Sequence, residues 1–165
     1  MEEGRSIVAL AVGTKAPNFC LKRKTAQGLE DVCLSDRFGK KNTVLLFFPM
    51  AFTSVCTKEM CDVSQGLIDF QQWNADVLGI SVDNPFAQEA WAKQEGITVP
   101  LLSDLDKEVS AKYDVLLPKL AGIGTVAARA AFVIDQEGII RYSEVTPSPT
   151  ELPNFDRIRE VLAKL

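Results

Sequence analysis

Residues 44–48, Val-Leu-Leu-Phe-Phe, form an uninterrupted apolar run of strand length, and Met60, Val63, Leu67 and Phe70 follow it at helical spacing. A strand buried on both faces and succeeded by a helix is the unit from which parallel sheets are built. The unit recurs. Residues 76–82 are a second apolar run, after which Asn84-Pro85 opens a helix through Glu95, with Pro85 suited to the first helical position and Gly96 to the stop. This alternation predicts an α/β fold with a largely parallel central sheet. Residues 99–102 read as a short strand, which Pro100 confines to an edge or a strand start, and residues 104–113 as a short helix. Residues 129–135 and 139–145 are β-prone runs separated by Gln136-Glu137-Gly138, a hairpin spacing that makes the predicted sheet mixed. Ile158, Val161, Leu162 and Leu165 recur at i, i+3, i+4 and i+7, so an amphipathic helix is expected after Pro153. Residues 19–21 and 29–34, around Gln27-Gly28, read as a small hairpin added before the core. Residues 116–127, with Pro118, Gly122 and Gly124, read as a loop near the later hairpin.

A chain of 165 residues, 47% hydrophobic and 24% charged, is expected to form one domain over residues 1–165 with a core that needs no staples. Its net charge of −4 and pI near 4.9 argue against nucleic acid as a partner. The longest basic cluster, Lys22-Arg23-Lys24, reads as a solvated strand end or loop. Met1-Glu2-Glu3-Gly4-Arg5 is acidic where an export signal starts positive, and no segment approaches the roughly 20 apolar residues that span a bilayer. A soluble, cytoplasmic protein with no membrane partner is the expectation. That compartment keeps thiols reduced, which argues against a structural disulfide framework, so Cys20 and Cys33, in the N-terminal strands among apolar neighbours, read as buried thiols.

The chemistry concentrates at Cys56, where the strand 44–48 gives way to the next helix. Pro49 ends the strand, and Thr53 can cap the helix or aim a hydroxyl. With the helix starting near Ser54, Cys56 lies in its first turn, where free backbone N–H groups and the helix dipole stabilise a thiolate. The chain has no histidine, so Cys-His catalysis and histidine-ligated metals are excluded. The four cysteines lack Cys-x-x-Cys pairing, which argues against a metal site and against a thioredoxin-type disulfide reductase. No cofactor is called for. From the residues alone, Cys56 as a small buried apolar side chain and Cys56 as a nucleophile both stand.

Pro49-Met50-Ala51-Phe52-Thr53-Ser54-Val55-Cys56 resembles the peroxiredoxin signature Pro-x-x-x-Thr/Ser-x-x-Cys in residue type and spacing. Ala16-Pro17-Asn18-Phe19, Pro100-Leu101-Leu102-Ser103-Asp104 and Arg129-Ala130-Ala131-Phe132-Val133-Ile134-Asp135 also look like the family, so the resemblance covers roughly residues 12–145. It implies a thioredoxin-like fold with an N-terminal hairpin extension, and a thiol peroxidase acting on hydrogen peroxide or organic hydroperoxides. By motif position, Cys56 would be the thiolate that attacks peroxide and becomes a sulfenic acid, Thr53 would hydrogen-bond the thiolate or the peroxide, and Pro49 would shield the sulfur. Arg129 would hold the thiolate and stabilise charge as the O–O bond breaks. Glu59 also falls at a family position, with a first-turn helix acid as the plain alternative. The chain departs from the family in Phe48, where tyrosine is common, and in Ala130-Ala131 after the arginine.

Cys61 resembles the resolving cysteine of the bacterioferritin comigratory protein branch, whose Cys-x4-Cys spacing it shares. On a continuous helix five residues give about 500° of rotation and about 7.5 Å of rise, so a Cys56–Cys61 bond requires the segment from Thr53 to about Ser64 to loosen. The Ala51-Phe52-Thr53 context instead resembles the one-cysteine alkyl hydroperoxidase E-like branch, where an external thiol resolves and Cys61 is a plain helix residue. A thioredoxin or a low-molecular-weight thiol is the expected reductant, and a homodimer the expected assembly. A noncatalytic interaction module on the same fold is the remaining alternative.

Overall fold

The computed structural model describes residues 7–165, the side chains of Leu67 and Ile68 excepted; the acidic start at Met1 to Arg5 lies outside the described residues. Nine strands and five α-helices follow one another: β1 (Cys20–Thr25), β2 (Gly28–Cys33), β3 (Asn42–Phe47), α1 (Ser54–Gln65), α2 (Leu67–Gln71), β4 (Ala75–Ser81), α3 (Pro85–Glu95), β5 (Leu101–Ser103), α4 (Glu108–Lys112), β6 (Leu116–Leu120), β7 (Gly124–Ala127), β8 (Ala130–Ile134), β9 (Ile140–Val145) and α5 (Phe155–Ala163). A 3-10 turn, Leu34–Arg37, links β2 to β3. Seven strands make one sheet in the order β2-β1-β5-β4-β3-β8-β9. The central β3, β4 and β5 run parallel, while β8 and β1 join them antiparallel on either side, so the sheet is mixed.

The period of two along β3 divides the core. Val44, Leu46 and Phe48 face a cluster with Met60 and Val63 of α1, Trp91 of α3 and Ile158 and Leu162 of α5. Leu45 and Phe47 face the other side, with Phe19, Leu34, Val109 and Tyr113. A strand covered on both faces carries no polar alternation, which is why residues 44–48 read as a continuous apolar run. Gly79 on β4 serves the first cluster by its lack of a side chain: a Cβ there would stand 2.9 Å from Leu101 Cδ2. Helix α3 starts and stops as its residues dictate. The Asn84 side chain accepts from the Ala87 N–H at 2.8 Å, Pro85 occupies the first turn, and Gly96 closes the helix at φ +69°.

Several expectations are corrected. Residues 116–127 are not a loop; β6 and β7 pair as a separate two-stranded antiparallel sheet, with an irregularity between Leu117 and Leu120 around Pro118, which has no N–H for the ladder. The periodic run after residue 54 is two helices, broken at Gly66. The helix expected over 104–113 is only Glu108–Lys112, because the Asp104 carboxylate caps it by accepting from the Val109 and Ser110 N–H groups. The basic cluster lies within β1 and carries ion pairs, Lys22 to Asp31 at 2.8 Å and Lys24 to Glu89 at 3.4 Å. Cys20 and Cys33 are neither free nor buried thiols. They form a disulfide, with Cys20 exposed and Cys33 half-buried, because the hairpin register sets them directly opposite one another.

Candidate active site

The segment between β3 and α1 is fastened by hydrogen bonds to the end of β4, to α1 and within itself. The Ala51 N–H donates to the Asp83 carboxylate at 2.8 Å, tying the loop to the end of β4, and the Ser81 hydroxyl donates to the same carboxylate oxygen at 2.6 Å. Phe52 turns the chain at φ +67°. The Thr57 hydroxyl donates back to the Thr53 carbonyl at 2.7 Å and accepts from Trp91 Nε1 at 3.1 Å, which couples the first turn of α1 to α3. Pro49, separated from the end of β3 by Phe48, is buried. Thr53 stands at the cap position with extended backbone, but its hydroxyl does not cap the helix; it donates instead to the Met50 carbonyl at 2.7 Å. That leaves the hydroxyl's lone pairs on an exposed rim.

Cys56, the third residue of α1, is 1% exposed. Glu59 follows one turn later on the same helical face. Both meet Arg129, which precedes β8 and is itself 2% exposed. Three guanidinium nitrogens donate in three directions: Nη2 to Cys56 Sγ at 3.0 Å, Nη1 to Glu59 Oε1 at 2.7 Å and Nε to the Pro149 carbonyl at 3.0 Å. A planar donor fork with every arm engaged has little rotational freedom, so the nitrogen on the sulfur is held in place. The Arg129 backbone is pinned as well, its carbonyl accepting from the Thr146 N–H at 3.0 Å.

Glu59 is wholly buried, and burial pushes its carboxyl up to about 7, against the pull of the Arg129 charge and with a further upward push from Glu144. Among the described residues its Oε2 has no partner. The pair Glu59–Arg129 is therefore a buried ion pair whose carboxylate is costly to ionise, unlike the solvent-exposed pairs elsewhere on the surface.

The structure brings Cys56 and Arg129 together across 73 positions of sequence. It does not bring Cys61 to them. Cys61 lies on the continuous helix α1, half-buried, with its thiol donating to the Glu95 carbonyl at 3.6 Å. Burial, then the carboxylates of Glu95 and Asp62, push this thiol up from its ordinary value. Sequence reasoning missed Asp83, Thr146 and Pro149. The last contributes only a backbone carbonyl, which leaves no trace in residue type. Among the described residues no three Cys, Asp or Glu side chains gather as a metal-binding group, and no helix is long and apolar enough to cross a membrane.

The model of the AhpC/TSA family matches residues 12–143, which takes in β1 through the middle of β9 and with them Cys56 and Arg129. The chain belongs to this peroxiredoxin family. Among relatives, it is 39% identical over 145 residues to a chloroplastic 2-cysteine peroxiredoxin of Chattonella marina var. antiqua, covering 84% of this chain and 72% of that one. It is 37% identical over 141 residues to the chloroplastic 2-Cys peroxiredoxin BAS1 of Hordeum vulgare, covering 81% of this chain and 65% of that one. Against the BAS1 proteins of Spinacia oleracea and Arabidopsis thaliana the matched region is 52% of their length. Among solved structures, the reduced 2-Cys peroxiredoxin of Plasmodium vivax superposes with a TM-score of 0.82 at 31% identity, over 92% of this chain and 80% of that one. The peroxidoxin BcpB of Mycobacterium tuberculosis superposes with a TM-score of 0.76 at 28% identity, over 92% and 94%. The thioredoxin-like fold of the peroxiredoxins thus holds here. Where the family commonly has tyrosine, this peroxiredoxin has Phe48, whose ring packs on Trp91 at 5.4 Å between centroids.

Proposed function

We propose that the chain is a thiol-dependent peroxidase that reduces hydrogen peroxide and organic hydroperoxides through Cys56. The observation that carries this reading is the Arg129 Nη2 donor held 3.0 Å from a buried sulfur in the first turn of α1. A fixed cation there complements a thiolate, and it remains in place for the charge that develops on the peroxide. The thiolate attacks one peroxide oxygen, the O–O bond breaks with its electron pair leaving on the other oxygen, and that oxygen departs as water or an alcohol after taking a proton. Cys56 is left as a sulfenic acid. Thr53, whose hydroxyl hydrogen is committed to Met50, presents lone pairs that can accept the hydrogen of the incoming hydroperoxide. Pro49 closes the sulfur off from water.

Cys61 is the proposed resolving thiol. Among the described residues only Cys56 and Cys61 are free cysteines, and relatives named 2-Cys peroxiredoxins favour a second cysteine over a one-cysteine cycle. Its attack on the sulfenic acid forms a Cys56–Cys61 disulfide and releases water, and an external dithiol then reduces the bond. A relative in Drosophila melanogaster is named a thioredoxin-dependent peroxide reductase, which supports a thioredoxin as that dithiol. The Cys-x4-Cys spacing supports a reading on the comigratory-protein side of the family, and a homodimer in the cytoplasm is the setting we infer for it. The test exposes reduced protein, and in parallel Cys61→Ser, to one equivalent of hydrogen peroxide and follows free thiols and intact mass. Loss of two thiols with a Cys56–Cys61 peptide absent from the variant supports the cycle. Rapid sulfenic acid at Cys56 with Cys61 still free assigns resolution to an external thiol, and a Cys56 that peroxide leaves untouched refutes the peroxidase.

A further inference from the structure

A second sulfur site, unrelated to Cys56, is carried by the β1–β2 hairpin. Cys20 and Cys33 are opposed in its ladder. The Leu34 N–H donates to the Phe19 carbonyl at 3.0 Å immediately beyond them. That bond marks Cys20 and Cys33 as a pair with no hydrogen bond of its own, the register at which antiparallel Cα atoms come closest; here they are 4.0 Å apart. The covalent bond is not what opposes them. Five further cross-strand pairs down to Thr25 and Gly28, and the buried Phe19 and Leu34 at the open end, hold the two strands in register. After reduction the two thiols therefore remain face to face, whereas Cys56 and Cys61 can meet only when α1 unwinds.

Access is one-sided. Cys20 is exposed and lines a cleft of about 320 Å³ together with Phe19, Lys22, Ser103, Asp104 and Lys112, while Cys33 is half-buried beside the Arg37 side chain that donates to its carbonyl at 3.0 Å. Exposed disulfides are the exchangeable ones. We propose that Cys20 and Cys33 are a reversible dithiol–disulfide site that exchanges with low-molecular-weight thiols entering at Cys20. A small thiolate attacks Cys20 Sγ, and the bond to Cys33 breaks with its electron pair leaving on Cys33, which takes a proton. A second small thiol then attacks the mixed disulfide at the small molecule's sulfur and frees Cys20. The sum is protein disulfide plus two thiols in equilibrium with protein dithiol plus one small disulfide, so the same couple serves as reductant and oxidant and no peroxide is consumed.

The test uses Cys56→Ser/Cys61→Ser, whose remaining cysteines are Cys20 and Cys33, equilibrated in glutathione buffers from fully reduced to fully oxidised, then acid-quenched, alkylated and weighed. Both thiols are expected to appear together, with a midpoint inside the series and an unchanged circular dichroism spectrum at both ends. In the further variants Cys33→Ser and Cys20→Ser, oxidised glutathione is expected to modify Cys20 at least about 10-fold faster than Cys33. Wild-type protein in the same buffers, read by mass on the peptides containing residues 20 and 33, repeats the measurement should the double variant not fold. A disulfide that persists in excess dithiothreitol, thiols that never pair, loss of fold on reduction, or equal reactivity of the two cysteines overturns the proposal.

Discussion

At the site, one side chain organises the others. Arg129 spends a donor on each of Cys56, Glu59 and the Pro149 carbonyl, so its geometry matters as much as its charge. Arg129→Lys keeps the charge but offers a point ammonium that cannot span three acceptors. We expect the second-order rate of Cys56 oxidation by hydrogen peroxide to fall by about 10²-fold, as measured by stopped-flow fluorescence; an unchanged rate would mean that charge alone suffices. Glu59 makes a prediction of a different sign. Burial lifts its carboxyl from 4.5 to about 7, so between those values the folded protein holds a proton that the unfolded chain has released. The stability this contributes is full below about 4.5 and is lost as pH rises through 7. Glu59→Gln cannot ionise and escapes the loss, so its stability relative to wild type climbs across that window, by on the order of 3 kcal/mol. Urea denaturation at pH 5 and pH 8 checks it, and a gap that does not move with pH would contradict it. The place of Cys56 at a helix start was legible in the sequence because a strand, a proline and a helix start leave a local pattern. The burial of Glu59 was not, since an acid there reads equally well as a favourable first-turn helix acid, whereas α1 carries Glu59 in its second turn.

At the level of elements, the proposed cycle places two conflicting requirements on α1. Cys56 needs the first turn intact, yet a bond to Cys61 needs it open, because a continuous helix from Ser54 to Gln65 separates the two sulfurs by more than one turn. Gly66 already breaks the helix behind this segment, so residues 54–65 can loosen without dragging α2. Hydrogen exchange of the peroxide-oxidised protein should therefore show faster exchange over residues 53–64 than in the reduced protein, with β3 and β4 unchanged; equal protection in both states would exclude a Cys56–Cys61 bond. Most elements were readable beforehand because each carries its own signal, as Asn84, Pro85 and Gly96 do for α3. The β6–β7 sheet escaped because Pro118, Gly122 and Gly124 are loop residues by local preference, and only the pairing of Leu116 with Ala127 makes strands of them.

Across the molecule, the β1–β2 hairpin lies outermost in the sheet and joins it through a single registered pair, Lys22 with Ser103. The cross-link there closes 13 positions of chain, a span for which the loss of denatured-state freedom is worth about 3 kcal/mol. Cys20→Ser/Cys33→Ser is expected to lower stability by up to that amount in urea denaturation while leaving Cys56 oxidation intact; a variant as stable as the wild type would show that the hairpin is held by its ladder and by Phe19 and Leu34 alone. Composition and periodicity by themselves determined the α/β alternation, the mixed sheet, the positions of the β1–β2 and β8–β9 hairpins and the placement of Cys56, because those are consequences of neighbours within a few residues. Tertiary structure alone decided that Arg129 reaches Cys56, that a Pro149 carbonyl steadies it, that Cys61 stands apart and that Cys20 faces Cys33. Each of these is a distance between chain segments, set by strand register and by packing on the two faces of β3, and local sequence pattern holds no record of such distances.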